Sequence, residues 1–363
     1  TDEAAHLAEQ VGFDTHMSLV ETKINTPEQS HVGRLLLDTE TSIETIADYL
    51  AHKNTTPDVQ RSIRVRLDSV YDPNPVKQKK NLDELVERIH RYGITKVYLQ
   101  AFSDMNNDGV AEALYFNNKY LPIRADIFGQ IAWILDTRLD VEVYAWMPIF
   151  AFDVKEGNAN LRLSPNEPRS IEIIKSIYAD LSFYNKFDGI LFHHDAFLSQ
   201  VEEKTQDLFN ITDQLKEVVY PYSLKGRKKF KTARSLTIRP ESEAQFVQDL
   251  EAFTKHYSTV LVQAMPYMED KQVSVREARN WLNALVKKTL SSVPSDKVLF
   301  ELQTVNWRTQ KAIADDELID WMKDLQDNKV YSFGYYPDNF LLDQPSMKKL
   351  RPYFSVNRNI GLQ

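Results

Sequence analysis

The segment Phe187-Asp-Gly-Ile-Leu-Phe-His-His-Asp-Ala-Phe-Leu198 runs an apolar strand pattern, Ile190–Phe192, straight into three side chains that bind protons or ligands: His193, His194 and Asp195. Packing alone gives no reason for that order. A carboxyl at the end of an apolar strand loses water, and lost water favours its protonated form. Asp195 is therefore suited to donate a proton, as the general acid of glycoside hydrolysis does. That reaction also needs a second carboxyl across the scissile bond, or help from the substrate itself. Glu301, between Phe300 and Leu302, is the candidate second carboxylate, with Asp68 and Asp338 as competitors.

Other chemistries find less support. His193 and Asp195 are two apart and share a face while the strand continues, so a third ligand would complete a metal site. None of the eight His forms an H-x-x-x-H or H-E-x-x-H pair, so no metal is expected. His194 is read instead as a hydrogen-bond donor to substrate or to a neighbouring carboxylate. There is no G-x-S-x-G for a serine nucleophile. With only 10 Gly in 363 residues, neither a P-loop nor a G-x-G-x-x-G occurs, and no cofactor is expected. The absence of Cys excludes thiolate catalysis and disulfides. A net charge of −8 disfavours nucleic acid and permits a cationic ligand. No apolar run approaches the roughly 20 residues of a membrane span. The start, Thr-Asp-Glu-Ala-Ala-His, reads as a segment of something longer.

Strand and helix patterns alternate from Ser62 onward. Expected strands lie at 63–67, 96–102, 141–147, 190–192, 232–237, 259–265, 297–303 and 330–334. Expected helices lie at 82–91, 125–137, 170–184, 212–219, 243–256, 275–290 and 316–327. Such alternation with buried strands means a parallel sheet. About eight units in this length fit a (β/α)8-type TIM barrel, complete or short of a unit, better than an open doubly wound sheet. Residues 1–60 are expected to be a short α/β appendage plus linker, with short strands at Met17–Val20 and Arg34–Leu37 and a capping box at Thr41-Ser-Ile-Glu44. Residues 61–363 would be the barrel.

In a barrel, chemistry sits where strands run out into the following loops. The expected strand ends carry Asp68-Ser-Val-Tyr-Asp72, Gln100-Ala-Phe-Ser-Asp104, Tyr144-Ala-Trp146-Met-Pro148, His193-His194-Asp195, Gln263-Ala-Met265-Pro-Tyr267, Glu301 with Trp307, and Tyr335-Tyr336-Pro-Asp338. Aromatic faces beside carboxylates suit sugar rings, and an amino sugar adds cation–π attraction.

Those motifs, with Val-Tyr-Leu-Gln-Ala-Phe102, Lys-Thr-Ala-Arg234, Arg-Pro-Glu-Ser-Glu-Ala244, Glu-Leu-Gln303 and Gly-Tyr-Tyr-Pro-Asp-Asn-Phe340, resemble the C-terminal domain of the PgaB family. These are bacterial poly-β-1,6-N-acetyl-D-glucosamine N-deacetylases of biofilm exopolysaccharide export. The resemblance runs from about Ile63 onward. It implies a periplasmic two-domain protein whose C-terminal barrel hydrolyses partly deacetylated poly-N-acetylglucosamine. Residues 1–60 would then be the tail of the deacetylase domain, and this segment would not deacetylate by itself. Implied partners are the amino-sugar polymer and an outer-membrane export porin. Asp195 matches the second Asp of the family's His-Asp-Asp, the catalytic position. His194 stands where the first Asp is usual. Glu301 matches the Glu of Glu-Leu-Gln, and Tyr144, Trp146, Trp307, Tyr336 and Asp338 match groove-lining positions. Asp68 and Asp338 would pair with free amines. The alternative function is a non-catalytic module that guides deacetylated polymer to export. A scaffold for a partner protein is a third reading.

Overall fold

The computed structural model describes residues 59–193 (except 158 and 162), 205–223, 230–238 and 243–356. By contacts the chain divides into Gln60–Met347 and a second unit, Thr1–Val59 with Lys348–Gln363. In the second unit the described part is Val59 and residues 348–356, most of it the final helix Met347–Phe354. The expected appendage lies outside the described residues.

The first unit is a closed parallel barrel of eight strands. They are β1 (Arg61–Val65), β2 (Lys96–Gln100), β3 (Glu142–Met147), β4 (Gly189–Phe192), β5 (Lys231–Thr237), β6 (Thr259–Ala264), β7 (Val298–Gln303) and β8 (Phe333–Tyr336). Each pairs with its neighbour in sequence, and β1 closes on β8 with Ile63 opposite Tyr335. That closure excludes the open sheet. The connecting helices are α1 (Pro75–Arg91), α2 (Phe128–Leu139), α3 (Pro168–Tyr184), α4 (Thr205–Ser223), α5 (Glu243–His256), α6 (Val275–Ser292) and α7 (Asp315–Asp327).

Local sequence explains the helix ends. The Asn74 side chain accepts from the Val76 and Lys77 amides at 3.0 and 3.4 Å, and Pro75 takes the first helical position. α1 therefore starts seven residues before the apolar periodicity becomes visible at Leu82. Ser274 and Glu277 form a reciprocal capping box on α6. Ala278, Leu282, Leu285, Val286 and Thr289 then recur on one buried face of that helix.

Strands bury both faces, so their alternation sorts residues between the barrel interior and the helix layer. Ile63 and Val65 face outward, while Ser62 and Arg64 face in. The interior is filled in tiers. Lys96, Glu142 and Lys231 form an ion cluster in the lowest tier, with Lys96 Nζ 3.5 Å from Glu142. Above it the Tyr98 and Tyr144 rings meet edge to face at 5.4 Å.

Two glycines are dictated by this filling. A Cβ on Gly189 would meet the Lys231 carbonyl and the Tyr144 ring. A Cβ on Gly334 would run into the Ser62 hydroxyl and, behind it, the Ser62 carbonyl oxygen. Gly334→Ala should therefore destabilise the barrel by about 1–3 kcal/mol or more, as overpacking does. Adding Ser62→Ala should not restore stability, because the backbone clash remains. Denaturant titration of the single and double variants checks both statements.

Candidate active site

A cavity of about 300 Å³ opens at the C-terminal mouth of the barrel. Trp146, His193, Thr237, Gln263 and Tyr336 reach it from the ends of β3, β4, β5, β6 and β8. Arg64 and Arg66 come from β1 and the residue beyond it, Asp104, Asn107 and Gly109 from the loop after β2, and Trp307 from the loop after β7.

The floor is organised by Arg64. Its guanidinium donates to both Glu301 oxygens, Nε to Oε2 at 3.1 Å and Nη2 to Oε1 at 2.8 Å. The side chains are 3% and 1% exposed, so neither charge has water to fall back on. The same guanidinium lies 3.6 Å over the Tyr336 ring and 4.5 Å from the Trp146 ring centre. Its Nη1 is 3.3 Å from His193 Nε2. A cation beside that nitrogen opposes a metal ion at Nε2. Trp146 packs edge-on to Tyr336 and to His193, and Trp307 continues the aromatic wall 6.0 Å from Tyr336.

The wall on the β1–β2 side is a second network. Asp68 accepts from Arg66 Nη2 at 3.1 Å, Gln100 Nε2 at 3.0 Å and the Asp104 amide at 3.0 Å, and also from the Tyr115 hydroxyl. Arg66 in turn donates to the Asp104 carbonyl at 2.6 Å and to Asn107 Oδ1 at 2.7 Å. These bonds fix the turn Asp104–Gly109, where Asn107 and Gly109 take positive φ. The Asp104 carboxylate accepts the Asp108 and Gly109 amides, each at 3.0 Å. Burial pushes its pKa up, and the two amides oppose that shift only in part.

The structure divides the expected site residues. Trp146, Trp307 and Tyr336 line the cavity. Glu301 lies beneath it, held by Arg64 rather than facing the open space. Asp68 and Gln100 stand behind Arg66 and support the wall. Tyr144 is fully buried one tier below Trp146, so it is part of the barrel core and not of a groove. Asp338 is turned away as well. Arg88 grips its carboxylate through Nε at 3.0 and 2.9 Å and Nη2 at 2.9 Å, and the Tyr335 hydroxyl adds a bond of 2.7 Å. It fastens the loop after β8 to α1 and is not open to a substrate amine. His194 and Asp195 lie outside the described residues. Asp104 and Gln263 stand in the expected strand-end stretches but carried no assigned role, and Arg64 and Arg66 were not anticipated, although the pattern Arg64-Val-Arg66 places two charges on the inward face of a buried strand. Among the described residues no helix is long and apolar enough to cross a membrane.

Comparison with known proteins agrees with this architecture. The family model for hypothetical glycosyl hydrolase family 13 matches residues 64–207 and 201–336. The poly-β-1,6-N-acetyl-D-glucosamine N-deacetylases of Escherichia coli K12 and O157:H7 are each 33% identical over 406 aligned positions, 96% of this chain. The chain spans 60% of the length of those relatives. The PgaB (BpsB) glycoside hydrolase domain from Bordetella bronchiseptica is 30% identical. Its match covers 83% of this chain and all of that one, with a TM-score of 0.69. A fainter likeness to YKL-39, 10% identical over 81% of this chain and 96% of that one with a TM-score of 0.51, concerns the barrel fold alone. The chain therefore belongs to hypothetical glycosyl hydrolase family 13, and to the same family as the PgaB glycoside hydrolase domain.

Proposed function

We propose that this glycoside hydrolase cleaves partly deacetylated β-1,6-linked N-acetylglucosamine polymer in the cavity at the barrel mouth, with Asp195 protonating the leaving oxygen. The observation that carries the reading is the aromatic wall of Trp146, Tyr336 and Trp307 at the mouth of a barrel of this family. Flat rings bind the apolar faces of sugars, and the polar groups opposite reach their hydroxyls. The choice of polymer rests on the E. coli deacetylases, whose names specify it.

His193 lines the cavity and precedes Asp195 by two residues, which supports assigning the acid to Asp195. Glu301 is already committed to Arg64, so its part is to hold that guanidinium between Trp146 and Tyr336. We assign support for attack at the anomeric carbon to the substrate's own acetamido group in place of Glu301, which requires the sugar at the cleaved bond to keep its acetyl group. The same reading carries a periplasmic location and transfer of polymer to an outer-membrane porin, both drawn from the resemblance to PgaB proteins.

The test is release of new reducing ends from partly deacetylated polymer by the purified chain. Saturable binding with no new ends over long incubation would favour the non-catalytic guide instead. Trp307→Ala should raise KM roughly three- to tenfold, the loss of one stacking face worth about 0.5–1.5 kcal/mol. Initial rates across polymer concentration measure it. An unchanged KM would remove Trp307 from the sugar-binding wall.

A further inference from the structure

We propose that Asp104 is a specificity residue that recognises a free amine on the sugar chain. This inference rests on the glycosidase reading above and names a part of its substrate recognition. Among the described residues, Arg64 is matched by Glu301 and Arg66 by Asp68, each through a direct ion pair. Asp104 is the remaining carboxylate on the cavity wall, and no ion pair to a cationic side chain is formed by it among the described residues. Arg66 touches the Asp104 residue through its backbone carbonyl, at 2.6 Å, and not through the carboxylate. The bonds from Asp108 and Gly109 come from neutral amides. The wall thus holds a carboxylate, 6% exposed as a residue, that accepts only neutral amides, with Arg66 near enough to act on it electrostatically but bonded to its carbonyl.

The chemistry that completes such a group is a cation with hydrogen-bond donors. A glucosammonium group offers both, whereas an acetamido group offers one neutral N–H. The surrounding bonds also fix the carboxylate in place. Asp68 accepts the Asp104 amide, and Arg66 spans the Asp104 carbonyl and Asn107. Little is then left to order when the amine arrives.

The experiment compares wild type and Asp104→Asn on two substrates, partly deacetylated polymer and the same polymer chemically re-acetylated. Wild type should prefer the deacetylated polymer in kcat/KM. The variant should lose at least tenfold on that polymer and less than threefold on the re-acetylated one, so the preference collapses. Equal losses on both would show that Asp104 only shapes its loop and would overturn the inference. An unchanged preference would overturn it too. If the Asn variant does not fold, Asp104→Ser keeps a side-chain acceptor for the turn amides while removing the charge, and the same ratio is read. Asp104→Glu should recover part of the preference. Wild type that cleaves neither polymer would count against the glycosidase reading itself. In that case binding of glucosamine oligosaccharides, tighter to wild type than to Asp104→Asn, decides the role of Asp104.

Discussion

Asp195→Asn should lower cleavage of partly deacetylated polymer roughly 10²- to 10⁴-fold, the usual contribution of a general acid. An amide keeps the size of the carboxyl but has no proton to give an alkoxide leaving group. The loss should fall on kcat, because proton transfer belongs to the transition state and not to binding. KM should stay within a few-fold, since the aromatic wall of Trp146, Tyr336 and Trp307 is untouched. A substrate with a good leaving group, such as an activated aryl glycoside, should be affected far less. That contrast separates a missing proton from a damaged fold. A variant equally slow on both substrates, with a shifted unfolding transition, would assign Asp195 a structural place instead.

The second large effect concerns stability. Glu301→Ala should destabilise the barrel by about 3–5 kcal/mol, because it leaves the Arg64 guanidinium buried without its carboxylate. Arg64 is 3% exposed and packed between two rings, so it cannot swing out to water. Replacing both partners by apolar residues, as in Arg64→Met with Glu301→Leu, should return most of that loss, since a buried ion pair and a packed apolar pair are often similar in free energy. The double variant should fold and still bind polymer poorly, because Tyr336 and Trp146 have lost the guanidinium between them. Urea titration gives the stability terms and a polymer-binding titration gives the other. Should the single and double variants be equally unstable, the ion pair is not the source of the loss.

Much of the fold was legible in the sequence, for a definite reason. A barrel strand covered by helices is apolar on both faces, and the short runs Val-Tyr-Leu, Val-Leu-Val and Val-Leu-Phe can be little else when helices separate them. Boundaries were less legible. β8 lies at Phe333–Tyr336, later than the apolar run from Val330, and β1 ends at Val65, before a single 3₁₀ turn carries Asp68. The small hairpin pairing Phe102–Ser103 with Ala113–Leu114 is too short to show a period, yet its loop carries Asp104 to the cavity.

The site was legible in its aromatics and not in its charges. Trp146, Trp307 and Tyr336 stand at strand ends or just beyond, where position in sequence indicates place. Charged residues were harder because pairing decides what they do. Arg64 and Glu301 are 237 residues apart, and only closure of the barrel brings them together. Asp338 shows the same difficulty in reverse. Its place after a strand end suggested the groove, but Arg88 on α1, 250 residues away in sequence, claims it. Tyr144 differs from Trp146 only by one step of the pleat, which moves it about 7 Å deeper along the strand and into the core.

The most direct measurement is mass analysis of the products after partly deacetylated β-1,6-N-acetylglucosamine polymer is incubated with wild type and with Asp195→Asn. A glycosidase with Asp195 as its acid predicts short oligosaccharides with new reducing ends from wild type and intact polymer from the variant over the same time. Intact polymer from the folded wild type, or identical fragments from both proteins, would contradict that account.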